Sequence, residues 1–218
     1  MATQTRPDIA FDVCELSAAS NNATIEEILK ANKTVRKVKR NRFSIKFCPL
    51  ECPEQLSVEC YSDASFGNLP GGGSQGGYVI FLVDHNGMKC PLSWQSKKVR
   101  RVVKSTLAAE TLALLDAAEA GIYLANLIAE VVNMDSRPLV KCFVDNKSLV
   151  QSLYSTKNVD DKHLRINLAV LSDMLHREEL SSVSWVQSAH QIANVFTKRG
   201  VNADLLISAV TGEVLGDN

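Results

Sequence analysis

The order of apolar segments predicts an α/β domain on a mixed five-stranded sheet, three antiparallel strands followed by two parallel ones, with helices flanking it. Three observations carry this expectation. The first three strand-like runs after residue 55 are separated only by turn-forming residues, as in hairpins. The later strand-like runs are separated by helical stretches, which is how parallel strands must be joined. Between the two groups lies a long run with helical periodicity, from about Ser105 to Val132.

Each element has a local reason. "LSVECYSDAS" alternates in strand fashion and leads into the Gly-rich turn "FGNLPGGGSQGG". "YVIFLVD" is the second strand, "HNG" a tight turn and "KCPLSWQSK" the third strand. After the long helix come strand "LVKCFVD", a helix from "KSLVQSLY", a helix within "DDKHLRINLAVLSDMLHREE", strand "SSVSWVQS" and a last helix near "QIANVFTKRG". The first strand should pair in parallel with the fourth through a right-handed crossover. Trp94 and Trp185, on strands with alternating apolar neighbours, are expected in the core.

Residues 1–55 have a different texture. "ATIEEILKANKTVRKVKR" places Ile25, Ile28, Leu29, Asn32, Val35 and Val38 at helical spacing, with Thr24 as N-cap. Its other side is basic, with Lys30, Lys33, Arg36, Lys37, Lys39 and Arg40, and is either a solvated face or a phosphate-facing handle. "NRFSIKFCPLECPEQ" reads as a short strand followed by a Pro-punctuated linker. The boundaries expected are 1–55, 56–200 and a tail, 201–218.

Formal charge is zero, so attraction to a polyanion must come from local patches. No apolar run approaches the roughly 20 residues needed to cross a bilayer. The amino end lacks the basic start and apolar block of a signal peptide. An intracellular, reducing setting, cytoplasmic or nuclear, is the expectation, and the six cysteines should be free thiols. Cys48, Cys52 and Cys60 leave a structural zinc open beside the alternative of small buried hydrophobes.

Two of the strands end alike, "SVECYSDASF" and "LVKCFVDNKS", so parallel pairing would set Asp63 and Asp145 side by side at the carboxyl end of the sheet, where sites form in open α/β folds. Alone, either aspartate could simply start a turn or cap a helix. Glu110 adds a third carboxylate. At about 100° per residue, Leu107, Leu114, Ala117, Gly121, Leu124, Ala125 and Ile128 share its side of the long helix, with Asp116, Glu119, Tyr123, Asn126 and Glu130 opposite. A carboxylate in the middle of an apolar, sheet-facing stripe is costly unless paired or metal-bound. Oxygen ligands of this kind suit Mg²⁺. Two such ions about 4 Å apart can activate a water and stabilise the leaving oxygen of a phosphodiester.

Taken in order, "YSDASFGN", "SQGGYVIFL", "LSWQSKK", "STLAAETLAL", "FVDNKSLV" and "QIANVFTKRG" resemble the ribonuclease H domain of a Ty1/copia-type retrotransposon polyprotein, over about Leu56 to Arg199. The amino-terminal "TQTRPDIAFDVCELS" resembles the tail of the preceding reverse transcriptase, which makes 1–55 a thumb or connection remnant. The polymerase's paired-Asp motif is missing, so DNA synthesis is not expected. The resemblance implies a ribonuclease H-like fold, cleavage of the RNA strand of RNA–DNA hybrids, two Mg²⁺ ions with Mn²⁺ as substitute, and the reverse transcriptase portion of the parent polyprotein as partner. It assigns Asp63, Glu110 and Asp145 to the first three catalytic and metal-binding acids. The fourth falls on Asn194, an amide where the family has a carboxylate, which removes a negative charge while leaving an oxygen to offer. Ser65, Thr106 and Asn146, flanking the acids, are the candidates for contacts to sugar or phosphate oxygens. Ser105 and Thr106 compete for the N-cap of the long helix.

His190, one turn before Asn194, and the basic "KKVRRVVK" ahead of the long helix are further candidates, for product release and for backbone phosphates. Transposase and integrase cores also use two aspartates and a glutamate, but there the glutamate comes last; here Glu110 stands between the aspartates. The remaining alternative is a catalytically inactive module of retroelement origin that binds nucleic acid or protein.

Overall fold

The computed structural model describes residues 2–155 and 161–212. The last six residues of the expected tail lie outside the described part. Two helices come first, α1 (Ala10–Ala19) and α2 (Ile25–Arg40). The sheet strands are β1 (Ser57–Leu69), β2 (Gly73–Val83), β3 (Lys89–Lys98), β4 (Leu139–Val144) and β5 (Ser182–Trp185). Helices α3 (Thr106–Val132), α4 (Lys147–Leu153), α5 (Lys162–His176) and α6 (Asp204–Thr211) complete the chain.

The strand order is β3-β2-β1-β4-β5. β1, β2 and β3 pair antiparallel, and β4 runs parallel to both β1 and β5. This is the ribonuclease H-like mixed sheet that the sequence predicts. The β2–β3 turn closes because the Asp84 carboxylate accepts from the amides of Asn86 (3.0 Å) and Met88 (2.9 Å).

Each face of the sheet carries its own core. On one side α3, α4 and α5 cover Val58, Cys60, Ile80, Val140, Cys142 and Val144. On the other, α1, α6 and the 3-10 segment Ile192–Phe196 cover Tyr61, Val79, Phe81 and Val83. α3 is rich in Ala and Leu, the strongest helix formers, and ends at Asn133 in the left-handed conformation. Gly121 lets it lie close on the sheet: a Cβ there would strike the Cys60 sulfur and come within 3.2 Å of Val140. By length and composition α3 could cross a bilayer, contrary to the reading of the apolar runs. Here its apolar stripe lies on the sheet, with Ala109, Leu114, Ala117 and Ala125 buried and Glu119, Tyr123, Asn126 and Glu130 outside.

Four local expectations are corrected. Residues 42–50 form no strand; Phe43 and Ile45 pack on the second core while the Lys46 amide bonds the Val210 carbonyl. The helix expected near "QIANVFTKRG" is a five-residue 3-10 segment, and the last α-helix is α6, with Leu206 and Val210 fully buried. Trp94 meets the second core and donates to the Ala2 carbonyl (2.7 Å), but Trp185 is exposed, because it stands at the end of edge strand β5, beyond the covering helices. The capping box Thr24/Glu27 starts α2 as expected, yet Ile25, Ile28, Leu29 and Val35 face solvent. α2 is held instead by polar contacts: Arg6, in a two-point ion pair with buried Asp8, reaches the Val38 carbonyl, and Lys37 donates to the Asp8 carbonyl.

The six cysteines are all free, with Cys60, Cys90 and Cys142 buried. They gather into no metal-ligating group among the described residues. Cys60 and Cys142 face each other across β1 and β4, where a hydrogen bond between the thiols, and then burial, push the Cys60 thiol up.

Candidate metal centre

β1 and β4 match residue for residue from Ser57–Leu139 to Tyr61–Phe143, and the last pair stack with ring centroids 4.8 Å apart. Asp63 and Asp145 each lie two residues beyond that pair. The twin sequence pattern is therefore the imprint of in-register parallel strands, which deliver two carboxylates to one end of the sheet. Glu110 enters from the second turn of α3. Ligand oxygens of Asp63, Glu110 and Asp145 all lie within 4.8 Å of one another.

The electrostatics are unfavourable as they stand. Asp63 is fully buried and Glu110 is 4% exposed. Burial, then Asp63, then Asp145, push Glu110 up from 4.5 to about 9, against the pull of Lys198 and the Ala64 amide. Burial raises Asp63 as well, opposed by Lys198 and Thr197. One oxygen of Glu110 is buried with no hydrogen-bond partner among the described residues. Three acids close together, one with an unpartnered oxygen, fit a hard divalent cation, which would take those oxygens and remove the repulsion.

The fourth candidate arrives by another route. After β5, Ser188 donates to Asp145 (2.7 Å), and Gln191 donates to the carbonyls of Ser62 (3.0 Å) and Phe143 (3.3 Å), pinning this segment across β1 and β4. Asn194 follows, its amide donating to the Ser188 carbonyl (2.9 Å). The Lys198 ammonium bonds both the Asn194 side-chain oxygen and Asp63, the latter at 3.2 Å. The Thr197 hydroxyl donates to the other Asp63 oxygen. Asn194 thus stands at the centre's edge, linked to Asp63 through a lysine.

The flanking residues divide. Ser105 is the N-cap of α3, accepting from the Ala108 amide (3.1 Å), which leaves Thr106 exposed at the first helical position. Asn146 caps α4 by accepting from the Leu149 amide (3.1 Å), so its side-chain oxygen already has a structural task. Ser65 is half-buried two residues beyond Asp63. His190 lines a cleft with Asn86, Lys89 and Leu205 that includes none of the acids. Lys198, Thr197 and Ser188 are the participants that motif reading missed. Lys198 did leave a signal: it lies four residues after Asn194, the spacing at which helical side chains meet. Trp185 adds a rim, its ring amine on the Asp145 carbonyl (3.1 Å) and Lys147 over its face.

A mixed sheet in this order, with helices on both faces, is the ribonuclease H-like fold, and here three acids gather at one end of it. The chain is similar to the retrovirus-related Pol polyprotein from transposon RE1 of Arabidopsis thaliana, 28% identical over 200 residues that make up 89% of this chain and 13% of that polyprotein. It is 26% identical to the corresponding polyprotein from transposon RE2 of the same plant, over the same shares of each. The chain thus spans about an eighth of the length of these relatives. No protein-family model matches it. Among solved structures, RNase H1 from Halobacterium salinarum NRC-1 is similar at a TM-score of 0.46 and 20% identity, over 65% of this chain and 94% of that one.

Proposed function

We propose that this is an intracellular, metal-dependent endonuclease domain of retrotransposon origin that cleaves the RNA strand of RNA–DNA hybrids, slowed by Asn194 at the fourth acidic position. The observation that carries it is the convergence of Asp63, Glu110 and Asp145 with an unpartnered oxygen at its heart. In this reading those three side chains hold Mg²⁺, or Mn²⁺ in its place, as a pair of ions with Asn194 offering its carbonyl oxygen to one of them. The metal supplies an activated water and stabilises the leaving oxygen. The chain's own residues do the rest: Ser188 steadies the Asp145 carboxylate, Gln191 holds the two strand ends together, and Ser65, Thr106 and Asn146 flank the path of the sugar–phosphate chain. Residues 1–55 are the remnant of a reverse transcriptase thumb or connection, and the reverse transcriptase portion of the parent polyprotein is the partner.

Lys198 favours a second reading. An ammonium bonded to Asp63 and to Asn194 places a fixed cation on two of the would-be ligands, as expected of a module that binds hybrid without cutting it. Cleavage of end-labelled RNA in a hybrid, in Mg²⁺ and in Mn²⁺, separates the two. The chain as given should cleave slowly, Asn194→Asp should be faster by at least about tenfold, a step that even changes around metal ligands commonly produce, and Asp145→Asn should be inert. Equal rates for the chain and Asn194→Asp would remove the role given to position 194. No cleavage by either, with hybrid still bound, would favour the binding module.

A further inference from the structure

The basic side of α2 has a place in the structure that the three-acid centre does not explain. Lys30, Lys33, Arg36, Lys37 and Arg40 fall within a sector of about 120° on the helix, at about 100° per residue. With Arg199 they line a groove of ≈ 1000 Å³ between α1, α2 and the segment after the 3-10 turn. Two carboxylates of α1 share it, and both are engaged: Asp12 with Lys37 (3.4 Å) and Glu15 with Arg199. Lys30 is paired with Glu26 and Glu27 of its own helix. Lys33, Arg36 and Arg40 are exposed, one helical turn apart, with no ion-pair partner among the described residues. In a chain of zero net charge this is a segregated cationic track.

Its position gives it meaning. Arg199 directly follows Lys198, whose ammonium sits on Asp63, so one wall of the groove begins at the rim of the acidic centre. The groove is also held in shape: Lys37 is tied to the Asp8 carbonyl and Arg6 to the Val38 carbonyl. A polyanion that places one phosphodiester at the acids would meet these cations where its backbone continues. Regular cation spacing along a helix and continuity with the centre favour a nucleic-acid backbone over an acidic polypeptide.

We infer that the α1–α2 groove is a second nucleic-acid contact, taking backbone phosphates of the hybrid beyond the acidic centre and anchoring substrates long enough to reach it. This rests on the hybrid as substrate, so binding and cleavage are measured separately. The probes are fluorescein-labelled hybrids of about 8 and about 24 base pairs, the longer spanning roughly 80 Å of duplex, bound by the full chain in EDTA over a salt series. Lys33→Ala/Arg36→Ala/Arg40→Ala should lower the slope of log affinity against log salt by about 2 to 3 for the longer hybrid, near one per phosphate contact. Cleavage of the shorter hybrid in Mg²⁺ should be unchanged. A triple change to Gln serves as the fold control alongside circular dichroism. An unchanged slope for the longer hybrid in both triple variants overturns the inference, whatever the cleavage result. A lowered slope in a chain that cuts neither hybrid leaves the groove standing while the nuclease reading falls. Loss of poly-glutamate binding with hybrid binding intact identifies a protein ligand and also overturns it.

Discussion

Glu110 and Lys198 are the two side chains on which the centre's behaviour turns, and they pull in opposite directions. A carboxyl whose folded value is about 9 against 4.5 when exposed holds its proton in the native state through that whole interval. The native chain then binds more protons than the unfolded one, and stability must fall as pH rises. Without metal, the stabilisation is fully present below about 4.5 and lost as pH rises through about 9; Asp63, also raised, acts in the same sense. Thermal melts in EDTA between about pH 5 and 9 should show a falling midpoint, and Glu110→Gln should flatten it. Added Mg²⁺ should restore stability at the alkaline end, since a cation favours the ionised acids. A flat profile for the parent chain would contradict the buried, like-charged surroundings assigned to Glu110.

Lys198 places a positive charge beside Asp63, with 40% of its side chain exposed against 1% for Asp63. Lys198→Met should cost about 1–2 kcal/mol without metal, less than the 3–5 kcal/mol of a broken fully buried pair because water screens the ammonium. The same change should tighten divalent-ion binding in calorimetry, because it removes a competing cation. Weaker ion binding would mean that Lys198 supports the metal instead of displacing it. Glu110 was legible from the helical wheel alone, since beyond Thr106 at the first helical position its neighbours on that side are apolar. Lys198 left only its four-residue spacing from Asn194 as a signal, because a lysine at the end of a motif looks like ordinary surface charge until the fold returns it to Asp63.

Among the elements, α3 and the strand it covers are the most constrained. Gly121→Ala would normally favour a helix by about 1 kcal/mol. Here the added methyl meets the Cys60 sulfur and Val140, and overpacking of this kind costs about 1–3 kcal/mol. Urea unfolding should therefore show Gly121→Ala as destabilised, and a stabilised variant would mean that α3 stands farther from the sheet. The strands and α3 were legible because their periodicities, two and 3.6, differ clearly. The amphipathic pattern of α2 misled: its apolar row faces solvent, and the helix is fixed by an arginine, a lysine and backbone carbonyls. The 3-10 segment after β5 was equally hidden, because Gln191 must reach the carbonyls of Ser62 and Phe143, and that tertiary demand outweighs helical spacing.

For the whole molecule, the strand order followed from hairpins first and crossovers later, and the meeting of Asp63 with Asp145 followed from that order. What could not be read was the second layer. Neither α1 nor α6 carries a signal that it belongs to the sheet's far face, where both help bury Phe81 and Phe196. The matched pairing of β1 with β4 has one more consequence. Side chains on a strand alternate between faces, so a one-residue insertion anywhere from Val140 to Val144 would turn Asp145 to the opposite side and leave Asp63 facing a neutral neighbour. A two-residue insertion would restore the direction but overshoot by roughly 6.6 Å along the strand. Within β4 itself, exchange of side chains should therefore disturb the meeting of Asp63 and Asp145 far less than any change in the length of that strand.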